Sequence, residues 1–291
     1  MFENLIGNNK VKEILYRIKE PSHAYMFLGP EGVGKFLFAK EFTYKWLCID
    51  EDEKPCGQCK SCIQYKGENN PDLTVIEPVD GSIKVEQIRN LIKKAYEKPV
   101  TSNKKVYILN DADKMTDSAQ NALLKILEEP PLYVMIILIG INEHLFLNTI
   151  KSRCVKVMFK KLEDEEIKEY MLNNNKNFKE EFLKIYDGSI GNIEKLEGKE
   201  EAYEELDRII KNIRSFEKID FIKKCVQYIS KDNFKEMLEY LNILLFRYGK
   251  GEIVYLNAIK YVNIALQQYE HNCNVEMILD NMFLDIYEEI K

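Results

Sequence analysis

The sequence has no excess of positive charge. Its 42 Lys and Arg residues face 48 Asp and Glu residues, and the formal net charge is −6 at pH 7. A protein that grips DNA by itself usually presents a basic face, because Lys and Arg displace counterions from the phosphates. The acidic balance therefore argues against a self-sufficient DNA-binding protein, and it predicts that any DNA contact is indirect or shared with partners.

Long apolar runs are also missing. The longest, from Tyr133 to Ile139, is far shorter than the roughly 20 residues that a membrane-spanning helix needs. The amino terminus has an acidic residue at Glu3 and no apolar core of the kind found in signal peptides. We therefore expect a cytoplasmic protein with no membrane partner.

The sequence has no internal repeat, and its 291 residues, 45% of them hydrophobic, suit two or three packed domains. In the first 160 residues, short apolar runs alternate with helical patterns, which is typical of a parallel sheet covered on both faces. The runs are 24–28, 73–76, 106–109, 133–139 and 155–159. Gly and Pro become rare after Lys160, where helical periodicity dominates. We predict an α/β domain over residues 1–160, a small helical lid over 161–200 and an all-α domain over 201–291.

A glycine-rich turn follows the first of these runs. Gly29, Gly32, Gly34 and Lys35 form a Gly-x-x-x-x-Gly-Lys pattern between a predicted strand and a predicted helix. Such a turn can wrap its backbone N–H groups around a phosphate, while the lysine reaches the outer phosphates. The alternative is a chance glycine-rich turn, which the match of strand, spacing and lysine disfavours.

The turn lacks the hydroxyl with which a working phosphate loop holds Mg²⁺, because the residue after the lysine is Phe36. The aspartate expected at the end of a later strand is replaced by the neutral amide of Asn110. Phosphoryl transfer depends on positioning and on charge neutralisation. We therefore predict no ATP hydrolysis by this chain, while static binding of ATP or ADP stays open.

Four of the seven cysteines are crowded into residues 48–62. Cys48, Cys56, Cys59 and Cys62 offer four thiolates, enough to close a tetrahedral shell around a structural Zn²⁺. An iron–sulfur cluster is the chemical rival, although the Cys-Pro that often supplies its fourth ligand is missing. Ordinary buried cysteines are the remaining alternative, which such a density disfavours.

A Ser-Arg-Cys sequence ends at Cys154, between the fourth and fifth predicted strands. At this rim of the sheet, Arg153 could reach a neighbouring subunit and stabilise charge on a γ-phosphate, as arginine fingers do. On the residues alone, a surface arginine paired with a carboxylate is the better interpretation.

Several segments together resemble the clamp-loader AAA+ family, whose core is a P-loop, RecA-like parallel sheet. They are SHAYMFLG at 22–29, the Cys-x-x-Cys-x-x-Cys insert, IKVEQIR at 83–89, ADKM at 112–115, NALLKILEEPP at 121–131 and TIKSRC at 149–154. The resemblance covers nearly all of the first 160 residues. It implies a helical lid and a carboxyl-terminal collar that joins the subunits of a DNA polymerase III hetero-oligomer.

Within the family, the sequence is most similar to the delta prime class. Its phosphate loop departs from the ATPase pattern, and Gly191 stands where ATPase subunits tend to place a phosphate-sensing arginine. The resemblance implies a stator without ATPase activity, in a complex whose overall activity is DNA-directed DNA synthesis. It also implies that Arg153 is a finger for the adjacent gamma/tau site. The implied partners are gamma/tau and delta subunits, the sliding clamp and primer–template DNA.

Two alternatives stay open. One is an active gamma/tau-like ATPase of the same loader, in which Asp111 or Asp113 serves as the metal ligand. The other is a zinc-stabilised nucleic-acid-binding module, which the negative net charge disfavours.

Overall fold

The computed structural model describes residues 2, 4–52, 54–174, 176 and 182–291. The chain divides into two compact units, Met1–Asn192 and Ile193–Lys291. Part of the predicted lid and one residue of the cysteine-rich segment lie outside the described residues. The division after Asn192 falls inside the predicted lid, and the domain boundaries at 160 and 200 stay predictions.

The first unit is built on a five-stranded parallel sheet with the strand order β2-β3-β4-β1-β5. The strands are β1 (Ala24–Leu28), β2 (Leu73–Ile76), β3 (Lys105–Leu109), β4 (Val134–Gly140) and β5 (Val155–Met158). Their limits confirm the five apolar runs to within one residue. Because the sheet is parallel, the carboxyl ends of its strands meet at one edge, where loops form sites in α/β proteins.

Helices α1 (Asn9–Arg17), α2 (Lys35–Leu47), α3 (Lys60–Lys66), α4 (Val85–Ala95), α5 (Asp117–Glu128) and α6 (Asn148–Lys151) alternate with these strands along the chain. After β5 come α7 (Asp164–Asn173), α8 (Leu183–Tyr186) and α9 (Ile190–Leu196), the last of which contains the division between the units. Short 3₁₀ turns lie at Ala112–Lys114 and Glu143–Leu145.

Two hydrophobic cores form, one on each face of the sheet, because successive strand residues point to opposite sides. Met26 of β1 and Ile136 of β4 belong to one core, which includes residues of α4 and α5. Their neighbours Phe27 and Ile137 belong to the other, which includes residues of α1 and α2. A parallel sheet with both faces covered is the predicted α/β architecture.

In the second unit, the described residues after α9 form helices only. These are α10 (Glu200–Lys211), α11 (Lys218–Val226), α12 (Phe234–Gly249), α13 (Ile253–Glu270) and α14 (Val275–Ile290), with a 3₁₀ turn at Ile213–Ser215. Their apolar stripes are buried, as at Leu206 of α10 and Leu241 of α12. An ion pair between Arg247 and Asp207 adds a polar link between the same two helices. The predicted all-α carboxyl-terminal region is confirmed.

A membrane-crossing helix would need more length and more apolar character than any helix within the described ranges has.

Candidate functional site

The glycine-rich turn connects β1 to α2 at the carboxyl edge of the sheet. Its glycines have positive φ angles of 152° at Gly29, 71° at Gly32 and 89° at Gly34. Residues with a Cβ rarely adopt these conformations, so the turn depends on its glycines. It leads into the amino terminus of α2, where backbone N–H groups and the helix dipole favour an anion. The backbone therefore suits a phosphate group.

Lys35 is folded back over this turn. Its Nζ donates hydrogen bonds to the carbonyl oxygens of Gly29 at 2.7 Å and Pro30 at 2.5 Å, and only 7% of the residue is exposed. Burial lowers the pKa of the Lys35 ammonium, and nearby carboxylates, led by that of Asp113, oppose the shift. The lysine is therefore a buried cation, held by two carbonyls and by surrounding negative charge.

The two residues predicted to stand at Mg²⁺-holding positions, Phe36 and Asn110, contact other parts of the chain. Phe36 packs against the core on the α2 face, and Nζ of Lys40 lies 5.2 Å from the centroid of its ring. The Asn110 amide donates to Oε1 of Glu77 at 3.5 Å. A phenyl ring has no lone pair for a metal, and the neutral Asn110 amide lacks the charge of an aspartate.

Asp113 is the carboxylate with the largest electrostatic effect on Lys35. Its Oδ2 accepts a hydrogen bond from the Ile141 N–H at 3.4 Å, whereas its Oδ1 is buried and has no hydrogen-bond partner among the described residues. Asp111 instead forms an ion pair with Nζ of Lys114 at 2.8 Å. Of the two acids considered as substitute metal ligands, Asp113 is therefore the better placed.

The turn that precedes and opens α9 packs directly on the glycine-rich turn. The Gly191 N–H donates to the carbonyl oxygen of Gly32 at 3.1 Å. A Cβ added to Gly32 would lie 2.1 Å from Oγ of Ser189 and 2.9 Å from Cα of Gly191, and a Cβ on Gly191 would lie 2.8 Å from Cα of Gly32. The two backbones therefore touch at a point with no room for a side chain. Sequence reasoning did not identify Ser189 as a neighbour of the loop.

The four clustered cysteines come together between α2 and α3. Their sulfur atoms all lie within 4.8 Å of one another, and those of Cys48 and Cys59 are 4.0 Å apart. A tetrahedral zinc ion with Zn–S bonds of about 2.3 Å separates its sulfurs by about 3.8 Å, so the arrangement fits this ion. The N–H groups of Cys56, Cys59 and Cys62 donate to the sulfurs of Cys48, Cys56 and Cys59, each at 3.4 Å. These four residues could hold a metal ion, and no disulfide joins any of the described cysteines.

The thiols of the cluster differ in acidity. Burial raises the pKa of Cys48 and raises that of Cys62 to about 12. Burial acts upward on Cys59 as well, but hydrogen bonds from the backbone of Ile49 and from neighbouring cysteines outweigh it and lower the pKa to about 6. One thiolate therefore forms readily, and a metal ion deprotonates the thiols that it binds.

Arg153 follows α6 and is paired within the first unit. Its Nη2 lies 2.9 Å from Oε1 of Glu128, and its Nη1 donates to the Thr149 carbonyl oxygen at 2.7 Å and to the Ser152 hydroxyl at 3.4 Å. The Arg153 side chain is 32% exposed, and that of Glu128 is 50% exposed. The carboxylate partner favoured by the residues alone is therefore present, and the guanidinium still faces solvent. Sequence reasoning did not single out Glu128, because nothing in its local pattern names an arginine partner.

A family model described as DNA polymerase III, delta subunit, matches residues 8–163, which is more than half of the chain. The chain belongs to this delta subunit family. Its matched region contains the glycine-rich turn, the cysteine cluster and Arg153.

Individual proteins similar in sequence to this chain are also subunits of DNA polymerase III. The subunit delta′ of DNA polymerase III from Bacillus subtilis is 36% identical over 169 residues, which cover 57% of this chain and 51% of that relative. The subunit tau from the same organism is 29% identical over 307 residues, which cover 98% of this chain and 53% of the relative. The chain thus spans about half the length of these curated relatives. The prediction of a clamp-loader-related, delta-prime-like protein is confirmed.

A solved structure has a fold similar to that of this chain. It is a gamma subunit-related protein of DNA polymerase III from Thermotoga maritima, with a TM-score of 0.57 and 18% identity. The match covers 97% of this chain and 99% of that one. An identity this low carries information on the fold alone, and it confirms the predicted AAA+ architecture.

Proposed function

We propose that this delta-prime-like protein is a non-hydrolysing stator of a clamp loader, which helps to place a sliding clamp on primed DNA during replication. Its partners are gamma/tau and delta subunits, and it reaches the clamp and primer–template DNA through the complex. The observation that carries the proposal is that Phe36 and Asn110 occupy both Mg²⁺-holding positions. Without an organised metal ion, the charge on a transferring phosphoryl group is not neutralised.

Arg153 acts in this proposal on the nucleotide of an adjacent gamma/tau subunit. Its guanidinium is partly exposed, and it follows α6 rather than lying inside a core element. An arginine supplied by a neighbour stabilises the charge that builds on the γ-phosphate as water attacks the phosphorus and ADP leaves. Such a finger is worth roughly 10³–10⁵ in rate.

The cysteine cluster has a structural role in this proposal. Four sulfur ligands complete the coordination of Zn²⁺ and leave no open position for a reacting water. The phosphate loop has at most a static role, in which the turn backbone and Lys35 hold ATP or ADP without cleaving it. A bound nucleotide would have to draw Lys35 away from the carbonyl oxygens of Gly29 and Pro30.

The proposal is tested by assembling the chain with gamma/tau and delta subunits and measuring ATP turnover. Replacing Arg153 with alanine is expected to lower turnover by at least about 100-fold while assembly is retained. Lys151→Ala is a matched control, because Lys151 is a cation on α6 that the proposal gives no role. Unchanged ATP turnover in the Arg153→Ala complex would refute the proposed role of Arg153 as a finger. Loss of assembly in both variants would indicate a structural effect of the substitutions.

An active ATPase is the second candidate, and the buried Oδ1 of Asp113 is the observation that favours it. In that case the isolated chain turns over ATP, and Asp113→Asn abolishes the activity because the metal loses its ligand. Asp111→Asn, which removes a carboxylate already paired with Lys114, is the control. Negligible turnover by the isolated wild-type chain would eliminate this candidate and would agree with the stator.

A further inference from the structure

We propose that Glu128 is a positioning residue for Arg153, holding the guanidinium in the orientation in which it meets a neighbour's phosphate. The inference rests on the proposed role of Arg153 as a finger. It assigns a role to Glu128, a carboxylate on α5, in orienting Arg153, which follows α6.

Glu128 is attached to a rigid support. It is the last residue of α5, whose Leu123, Ile126 and Leu127 are buried in the core. Pro130 follows shortly after and disfavours further helix. The carboxylate therefore leaves a fixed point at the end of an anchored helix, although its own side chain reaches solvent.

A second helix also binds the Arg153 guanidinium. Thr149 belongs to α6, a short helix anchored by the buried Ile150, and its carbonyl oxygen accepts from Nη1 of Arg153 at 2.7 Å. Carbonyl groups in the last turn of a helix lack partners within the helix, which makes them natural acceptors for an arginine. Glu128 binds Nη2 at 2.9 Å. The guanidinium is thus held at two nitrogen atoms, from two separate helices.

These contacts leave some N–H donors of Arg153 available to bind another anion. A guanidinium has five N–H donors in a planar fork. Within the described part of the chain, the contacts of Arg153 use Nη1 and Nη2 and leave the Nε–H and one hydrogen of Nη2 unassigned. A phosphate oxygen can accept from these donors while Glu128 and Thr149 keep their places. An arginine held in this way loses less freedom when it meets the phosphate than a freely rotating one does.

Stability gives little reason for the pair. Ion pairs between partly exposed side chains contribute little to folding, because water and salt screen them. Arg153 is 32% exposed and Glu128 is 50% exposed, so their pairing belongs to this class. The effect that remains is on the direction of the guanidinium, which is the property that a finger needs.

The test is a double-mutant cycle in the full complex with gamma/tau and delta subunits, in which kcat and KM for ATP are measured separately. Glu128→Ala is expected to lower kcat by about three- to tenfold with KM changed less than about twofold, since a misdirected finger loses transition-state contacts. In the Arg153→Ala background the same change is expected to have no further effect, because Glu128 acts only through Arg153. Glu129→Ala is the matched control, since Glu129 is an adjacent exposed carboxylate that forms no ion pair with any described residue.

Each other outcome has a definite meaning. If Arg153→Ala lowers kcat and Glu128→Ala does not, the positioning role is wrong while the finger stands. A higher kcat in Glu128→Ala would mean that the carboxylate restrains the finger, which contradicts positioning. If Glu128→Ala lowers kcat equally in the Arg153→Ala background, its effect is structural. If Arg153→Ala leaves kcat unchanged, the proposed function fails first, and the positioning role fails with it.

Discussion

Replacing Gly32 with alanine is expected to separate the glycine-rich turn from the turn at residues 189–191 that packs on it. Gly32 has a φ of 71°, and an alanine there costs about 1–2 kcal/mol in backbone strain alone. The added Cβ would also lie 2.1 Å from Oγ of Ser189 and 2.9 Å from Cα of Gly191. Overpacking of this kind typically costs a further 1–3 kcal/mol or so. Rotating Ser189 does not remove the second contact, because it is with backbone.

Gly81→Ala is the reference for this experiment. Gly81 has a similar φ of 78°, but a Cβ there would meet nothing within 4 Å, so the variant has the strain without the clash. The difference between the two variants therefore isolates the contact of Gly32 with the turn at residues 189–191. We expect it to be about 1–3 kcal/mol, which is roughly a 5- to 150-fold change in an opening equilibrium.

Hydrogen exchange at the Gly191 amide measures this directly, because that N–H donates to the Gly32 carbonyl oxygen at 3.1 Å. A local probe is needed, since a chain of two units need not unfold in one cooperative step. Protection of the Gly191 amide should fall in Gly32→Ala and stay near wild type in Gly81→Ala. Equal protection in the two variants would refute the packing of the turn at residues 189–191 on the glycine-rich turn.

Three further outcomes are expected. Cys62→Ser should abolish tight zinc binding in a metal-content assay because it removes a sulfur ligand, whereas the exposed Cys273→Ser should not. Asp72→Asn should destabilise the first unit by about 2–3 kcal/mol in urea unfolding. The reason is that the buried Asp72 carboxylate accepts three backbone N–H bonds at 2.7 Å each. The control Asp80→Asn, at an exposed carboxylate, should lower the free energy of unfolding by less than about 1 kcal/mol. Burial raises the pKa of Cys154 to about 12, so its alkylation at about pH 8.5 should be at least tenfold slower than that of Cys273. The zinc prediction would be contradicted if Cys62→Ser retained zinc. The aspartate prediction would be contradicted by equal stability of the two aspartate variants, and the thiol prediction by equal alkylation rates of Cys154 and Cys273.

Much of the fold can be predicted from the sequence, because a strand buried on both faces has to be apolar at nearly every residue. Strands β1 (Ala24–Leu28) and β4 (Val134–Gly140) show this, since all their residues are buried. The stripes in the second unit are readable for a related reason: an amphipathic helix repeats its apolar residues every three or four positions. Strand order is different. The sequence does not place β4 between β3 and β1, because pairing depends on packing across the whole sheet.

The candidate site divides in the same way. The glycines of the phosphate loop and the spacing of the four cysteines are local features, in which neighbouring residues build the turn or the ligand set. The packing of Gly191 on Gly32, by contrast, joins parts of the chain that are far apart in sequence. A glycine at 191 is visible in the sequence, but the lack of space around it is not.

What the sequence determined by itself is the chemistry available at each position: a Gly-x-x-x-x-Gly-Lys turn, no hydroxyl at Phe36, no carboxylate at Asn110 and an arginine after α6. The tertiary structure decided what those groups touch. Glu128 and Arg153 meet because α5 and α6, which β4 separates along the chain, pack against each other on the same face of the sheet. An ion pair between distant residues depends on that packing, since charge acts over a few ångströms of space and not along the chain.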